Sequence, residues 1–397
     1  MNIVLSERVQ RLHPSPTLAV TARAAELKAQ GRDIIGLGAG EPDFDTPEHI
    51  KEAAIAAIHA GKTKYTAVDG TPSLKQAVIA KFKRDNQLDY APNQILVSCG
   101  GKQSFFNLCQ ALLNPGDEVI VPAPYWVSYP EIVQITGATP VVVYAGPEQH
   151  YKLTPAQLDA SITSRTRLLV LNSPSNPTGM AYSRDELLAF AEILRRHPEV
   201  LIATDDMYEH FQWQGGSFCN IVMVAPDLYE RSIVLNGVSK AYAMTGWRIG
   251  YAGGPKPLIN AMKNVQSQST SNPTSISQAA AEAALNGDQE CVRVMCRAFQ
   301  ERHQFVYESL NRMPDVRVLP VDGTFYSFPD FSGVIKRFGL QDDIQLSERL
   351  LNESGVAIVA GSSFGAPGHL RLSFATSMDN LKAALQRIGN FLEKAAA

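Results

Sequence analysis

Short apolar, β-branched runs recur through the middle of the chain, at Ile95–Ser98, Val119–Val121, Pro140–Tyr144, Leu168–Leu171, Leu201–Thr204, Ile233–Leu235 and Ile249–Ala252. Segments with helical periodicity lie between several of them, at Gln103–Leu113, Ser183–Arg196 and Pro257–Val265. Strand and helix in alternation predict an α/β layer around a mostly parallel sheet. The runs at 168–171 and 233–235 are continuously apolar, as strands covered on both faces require.

The two ends of the chain read differently. Residues 17–30 and 48–60 are helical in pattern, with Asp45 or Thr46 as the expected cap before Pro47. A long helical pattern runs from Ser277 to Leu310, followed by strand-like runs at Val316–Leu319, Phe325–Phe328, Val356–Val359 and His369–Phe374 and a helix over Asn380–Glu393. This α+β signature predicts a large domain at 46–280 and a smaller one built from 1–45 and 281–397.

Composition narrows the function classes. Of 397 residues, 45% are hydrophobic and 19% charged, an ordinary globular balance. The net charge of -3 and the scattered basic residues give no electrostatic footprint for nucleic acid. Lys81-Phe82-Lys83-Arg84 reads as a solvated helix face. Met1–Gln10 lacks the basic segment and apolar stretch of a signal peptide. No apolar run reaches the roughly 18 residues of a membrane helix. The five cysteines, without CxxC spacing, read as reduced and mostly buried thiols, so the expected setting is cytoplasmic and no metal site is expected. The terminal alanines are the one low-complexity tract.

Two glycine motifs mislead. Gly36-Leu-Gly38-Ala-Gly40 resembles a dinucleotide loop, but Pro42 interrupts the helix that would receive a pyrophosphate. Gly61-Lys62-Thr63 resembles the end of a P-loop whose first glycine would be Ala56.

Four segments that follow predicted strands carry chemistry, because ligands of open α/β sheets bind at that edge. Gly100-Gly101-Lys102 precedes a helix and suits an anion at its N-terminus, although a tight turn alone would account for it. Asn176 sits in a stiff Pro- and Gly-rich turn. Asp205-Asp206-Met207-Tyr208 offers a carboxylate for a protonated heterocycle nitrogen, or merely a helix cap. Ser239-Lys240 and Arg248 lie in a loop of small residues. A lysine buried beside other cations loses its proton and forms Schiff bases, and arginine binds phosphate through two parallel bonds. An aldehyde for Lys240, a ring nitrogen for Asp205, a phenolic oxygen for Asn176 and Tyr208, and a phosphate for Gly100–Lys102, Ser239 and Arg248 together describe pyridoxal 5′-phosphate.

The segment Ser-Lys-Ala-Tyr-Ala-Met-Thr-Gly-Trp-Arg-Ile-Gly (239–250) resembles the lysine signature of class I pyridoxal-phosphate aminotransferases of fold type I. Gly-Ala-Gly-Glu-Pro-Asp-Phe (38–44), Lys-Tyr-Thr (64–66), Tyr-Trp-Val-Ser-Tyr-Pro-Glu (125–131), Asn-Ser-Pro-Ser-Asn-Pro-Thr-Gly (172–179), Gln-Ser-Gln-Ser-Thr-Ser (266–271) and Arg-Leu-Ser-Phe-Ala-Thr-Ser (371–377) extend the likeness over nearly the whole chain. It is strongest to bacterial aspartate aminotransferases of the thermophile type. The resemblance implies that Trp126 stacks on the cofactor ring and that Tyr65 reaches the phosphate of a neighbouring subunit in a homodimer. Arg371 would clamp the substrate α-carboxylate, helped by Gly40 and Asn176. Lys102, Ser15 and Thr17 would receive the distal carboxylate of aspartate, and 2-oxoglutarate would accept the amino group. Some members of the subgroup also use prephenate and carry Lys or Arg at the position of His13; a neutral imidazole there argues against that substrate, and the plainer reading of His13 is packing at the domain junction. An aminotransferase preferring aromatic amino acids or alanine, or a carbon–sulfur lyase, would share the cofactor residues. A non-catalytic regulator is disfavoured by the retained Lys240.

Overall fold

A computed structural model describes residues 3–394; Met1, Asn2 and the terminal alanines 395–397 lie outside it. Seven strands form the central sheet: β1 (Ile95–Ser98), β2 (Glu118–Ala123), β3 (Thr139–Tyr144), β4 (Thr166–Asn172), β5 (Leu201–Asp205), β6 (Ser232–Gly237) and β7 (Gly250–Gly253). Their order is β1-β7-β6-β5-β4-β2-β3. β7 runs antiparallel to both of its neighbours, and the other pairs are parallel.

All seven predicted strands are present. The inner ones are apolar throughout because side chains alternate between two helix-covered faces. Ile120, Leu169, Ile202 and Val234 enter one core, while Val119, Leu168, Ala203 and Ile233 enter the other. Only the edge strand β3 leaves large apolar side chains exposed, at Val142 and Tyr144.

The helices depart from the sequence reading at informative places. The cap expected from Asp45 or Thr46 does not form. The helix Glu48–His59 follows Pro47 without a side-chain cap, and Thr46 Oγ1 donates to Ala243 O (2.7 Å) and accepts from Trp247 Nε1 (2.9 Å). The tertiary partners outcompete the cap. The pattern from Ser277 to Leu310 is two helices, Ser275–Asn286 and Glu290–Asn311. They divide at Gly287-Asp288, where the Asp288 carboxylate accepts from Glu290 N (3.0 Å) and restarts the chain. Lys81-Phe82 is not a solvated face. Both side chains are fully buried, and the Lys81 ammonium meets the Glu209 carboxylate and the Asn86 side-chain oxygen. All five cysteines are free, but only Cys109 is fully buried. Among the described residues, no helix is long and apolar enough to cross a membrane.

Away from the sheet, both chain ends pack together. Ile35–Gly36 pairs in parallel with Val356–Ala357, and the helix Pro16–Ala29 packs its Ala24 and Leu27 on Ile34, Leu351 and Ala357. Leu370–Ser373 pairs antiparallel with Val359–Ala360 on one side and with Tyr326–Ser327 on the other. Of the run Val316–Leu319, only an isolated bridge between Arg317 and Asp330 forms. Ser373 N donates to Leu37 O (2.7 Å), which carries Arg371 alongside the Gly38–Gly40 segment.

Candidate active site

A cavity of about 300 Å³ opens at the carboxyl ends of β4, β5 and β6. It gathers residues that the sequence scatters: Ser15, Thr17, Gly40, Gly101, Lys102, Trp126, Asn176, Asp205, Tyr208, Ser239, Lys240, Arg248 and Arg371 all line it. Two expected residues do not. Gly100 lies behind the lining against Arg248, and Tyr65 is 92% exposed, away from this cavity.

One corner is cationic. The helix Gly101–Leu112 begins after Gly100 with no side-chain cap for its first N–H groups, and its first two residues line the cavity. A Cβ on Gly100, whose φ is +92°, would fall 2.2 Å from Arg248 Nη2, so only glycine admits the guanidinium this close. Arg248 is itself left-handed (φ 57°) and is tied to Thr245 O (2.9 Å) and Cys99 O (3.2 Å). Lys240 follows β6 by a few residues, and its Nζ donates to Gly40 O. Burial pushes its pKa down to about 8; Glu41 opposes this, and Arg248 and Arg371 add to it. Burial and Arg248 also lower the pKa of Lys102. Its ammonium lies 5.3 Å from the Trp126 ring. Positive charge is thus concentrated around Gly101, Lys102, Ser239 and Arg248, an arrangement that suits an anion.

The floor carries the opposite sign. β4 and β5 pair Asn172 with Asp205. Asp205 Oδ2 accepts from Tyr129 Oη (2.6 Å) and Oδ1 from Met207 N (3.2 Å), while Asn172 Nδ2 donates to Asp205 O (2.9 Å). Burial raises the Asp205 pKa, opposed by the Tyr129 bond, the Met207 N–H and Lys240. The adjacent Asp206 turns away from the cavity and is held by Thr204 and Asn220, both at 2.6 Å. Neither acid caps a helix. Asn172 Oδ1 also accepts from Asn176 N (2.8 Å), which fixes the turn that presents the Asn176 amide.

The opposite wall is a guanidinium. Arg371 is 2% exposed. It donates to Asn176 Oδ1 (3.0 Å) and Gly38 O (2.7 Å), and its Cζ lies 4.4 Å from the Tyr326 ring and 4.9 Å from the Phe364 ring. Its Nε has no hydrogen-bond partner among the described residues, and neither does the buried Thr17 hydroxyl. Both atoms are costly to bury unpaired, which marks them as able to receive a ligand. Ser15 caps the helix Pro16–Ala29 through Leu18 N (3.5 Å). His13 contacts Glu131 rather than being packed in a core. Its side chain is 80% exposed, and its backbone N and Nδ1 both meet Glu131.

The reading of single residues missed Tyr129, Asn172, Thr245 and Tyr326, which also line the cavity. Tyr129, Asn172 and Thr245 lie inside the quoted motifs, three or four residues from a residue already chosen. Tyr326 had no local signal beyond a short apolar run.

A doubly covered, mostly parallel sheet with a lysine, a carboxylate and an anion corner at its carboxyl edge defines a fold type I transferase site. Residues 32–388 match the family model for class I and II aminotransferases. An aspartate/prephenate aminotransferase from Nitrosomonas europaea is 59% identical, the alignment covering 98% of this chain and 99% of that one. An aspartate aminotransferase from Bacillus sp. strain YM-2 is 48% identical over 99% of this chain and all of its own. The solved aspartate aminotransferase of Thermus thermophilus with maleate superposes with a TM-score of 0.92 at 45% identity, covering 98% of this chain and 100% of its own. The chain belongs to the class I and II aminotransferases.

Proposed function

We propose that this protein transfers the amino group of L-aspartate to 2-oxoglutarate, using pyridoxal 5′-phosphate joined to Lys240. The observation that carries this reading is a buried, pKa-lowered lysine amine placed between a cationic corner and a buried carboxylate. That bipolar cavity fits the cofactor. Gly101 N–H, Ser239 and Arg248 would hold its phosphate, with Gly100 giving Arg248 room; Lys102, beside them, is left to the substrate. Asp205 would hold the ring-nitrogen proton, Asn176 and Tyr208 would bind the phenolic oxygen, and Trp126 would cover the ring. When bound, the cofactor supplies an electron sink for the bond to the substrate Cα.

The residues of this chain do the rest. Arg371, steered by Asn176 and Gly38, grips the α-carboxylate, with the Gly40 backbone alongside. Lys102, Ser15 and Thr17 take the distal carboxylate. The Lys240 amine, whose pKa burial lowers to about 8, takes the Cα proton and returns it one position away as general base and then acid. Release of one oxo acid before entry of the next gives ping-pong kinetics. The names of the relatives support aspartate, and five of them add prephenate.

Exposure of Tyr65 away from its own cavity supports its delivery to the neighbouring site of a homodimer. Pairing of 35–36 with 356–357 supports a small domain of 1–45 and 281–397 beside a large one of 46–280. The setting we propose is cytoplasmic amino-acid metabolism.

The test is a half-reaction titration. The cofactor-loaded protein is mixed separately with aspartate, glutamate, alanine, phenylalanine and prephenate-derived arogenate, and its absorbance is followed. Aspartate and glutamate should convert the cofactor to its aminated form at the lowest concentrations, and 2-oxoglutarate should reverse the change. Preference for alanine or phenylalanine would shift the substrate assignment. Pyruvate and ammonia appearing without an oxo-acid acceptor would establish a lyase instead.

A further inference from the structure

We infer that Tyr326 is a positioning residue whose ring orients the carboxylate clamp and whose hydroxyl orients the cofactor's phenol partner. This rests on the proposed cofactor and substrate roles of Tyr208 and Arg371. Tyr326 stands on a short strand in register with Ser373, beside the strand that carries Arg371. It is 1% exposed and lines the cavity.

Its two ends do different work. The ring face lies 4.4 Å from the Arg371 Cζ, so the guanidinium is held against the negative face of an aromatic quadrupole. The Phe364 ring, at 4.9 Å, supplies a second aromatic contact. Arg371 is thereby pinned in plane while its Nε and Nη atoms meet Asn176, Gly38 and an incoming carboxylate. The hydroxyl lies 3.1 Å from Tyr208 Oη. It also rests on Gly40, where an added Cβ would fall 2.8 Å from it. Gly40 is the residue whose carbonyl accepts from Lys240.

The direction of the proton between the two phenols follows from the task. If Tyr208 donates to the cofactor's phenolic oxygen, its own oxygen is free to accept, and Tyr326 is the donor in place. Donation to Tyr208 strengthens the onward bond, because hydrogen bonds in a chain polarise one another. Burial pushes both phenols above their ordinary range, which keeps both protons available. The other charged groups facing this pair are Arg371, Asp205 and Glu41. One side chain from the C-terminal third therefore touches the clamp and the proposed cofactor partner together.

The experiment separates the hydroxyl from the ring in the cofactor-loaded protein. Its readouts are the pH titration of the chromophore formed at Lys240 and the affinity for succinate, a dicarboxylate that cannot react. Tyr326→Phe should raise the apparent pKa of the chromophore by about 0.3–0.7 unit, as expected for losing a cooperative fraction of one hydrogen bond, with succinate affinity within about twofold of the parent. Tyr326→Leu should also weaken succinate about tenfold, the cost of losing the ring under a desolvated guanidinium. In a Tyr208→Phe background, Tyr326→Phe should add no further shift, because the two groups act in series. An unchanged pKa in Tyr326→Phe, or full additivity with Tyr208→Phe, would overturn the hydroxyl role; unchanged succinate binding in Tyr326→Leu would overturn the ring role. A parent protein with no titrating chromophore would instead sink the function reading itself.

Discussion

The floor of the cavity and its guanidinium wall are built by different means. The floor is made by the sheet. Asn172 and Asp205 are register partners at the ends of adjacent strands, and Lys240 follows the next strand within a few residues. The backbone ladder fixes the spacing of Asn172 and Asp205 directly. The wall is made by distant segments. The two partners of Arg371 lie 195 and 333 residues away in sequence, and two aromatic rings steady its plane. The sheet therefore fixes where the lysine and the carboxylate stand, and packing among sequence-distant segments fixes the guanidinium. If this division is right, damage to the floor and damage to the wall should appear in different measurements.

The largest expected effect is at the floor. Lys240→Ala should lower kcat by about 10²- to 10⁴-fold or more, the range of a positioned acid–base group. It should abolish the chromophore but leave succinate binding near the parent value, because the bonds of Arg371 do not pass through Lys240. Retention of normal turnover would remove Lys240 from the chemistry. The next largest effect is at the wall. Arg371→Leu should keep the chromophore and weaken succinate by about 2–5 kcal/mol, roughly 30- to 5,000-fold, as for truncating one partner of a desolvated charge pair. Loss of the chromophore in Arg371→Leu would erase the distinction between the two regions.

The same division explains what was legible in the sequence. Strand ends followed by Asp or Ser-Lys are local patterns, and all seven strands were read from them, with Asp205 and Lys240 at their ends, while the floor's Asn172 and Tyr129 were passed over. The resemblance supplied Arg371, Ser15, Thr17 and Trp126, because nothing within a few residues of Arg371 shows that it faces Gly38. Tyr326 was missed for the same reason. Its short strand pairs over two residues, and its partners are across the fold. The errors elsewhere are tertiary overrides. Thr46 exchanged a cap for Ala243 and Trp247, and Lys81 left solvent for Glu209. Local propensity predicts the element in each case, but the partner decides the side chain. Tyr65 is a further limit, because its proposed work lies in another subunit.

The smallest expected effect sharpens the comparison most, because Lys102 stands where floor and wall meet. It follows Gly101 at the edge of the anion corner, shares positive potential with Arg248, and stands by Trp126 in the cavity that Ser15 and Thr17 also line. As part of the floor, its loss should loosen the cofactor and slow every amino acid alike. As part of the wall, its loss should remove only the cation that a distal carboxylate needs. Lys102→Ala should lower kcat/KM for aspartate and glutamate about tenfold or more, near 1.4 kcal/mol, with alanine and phenylalanine spared and the cofactor affinity unchanged. The selective result is expected because Arg248 and the helix start already satisfy an anion at the corner, whereas the unpaired Thr17 hydroxyl lies on the substrate side. A uniform loss with weakened cofactor retention would move Lys102 to the floor and leave the distal carboxylate to Ser15 and Thr17 without a cation.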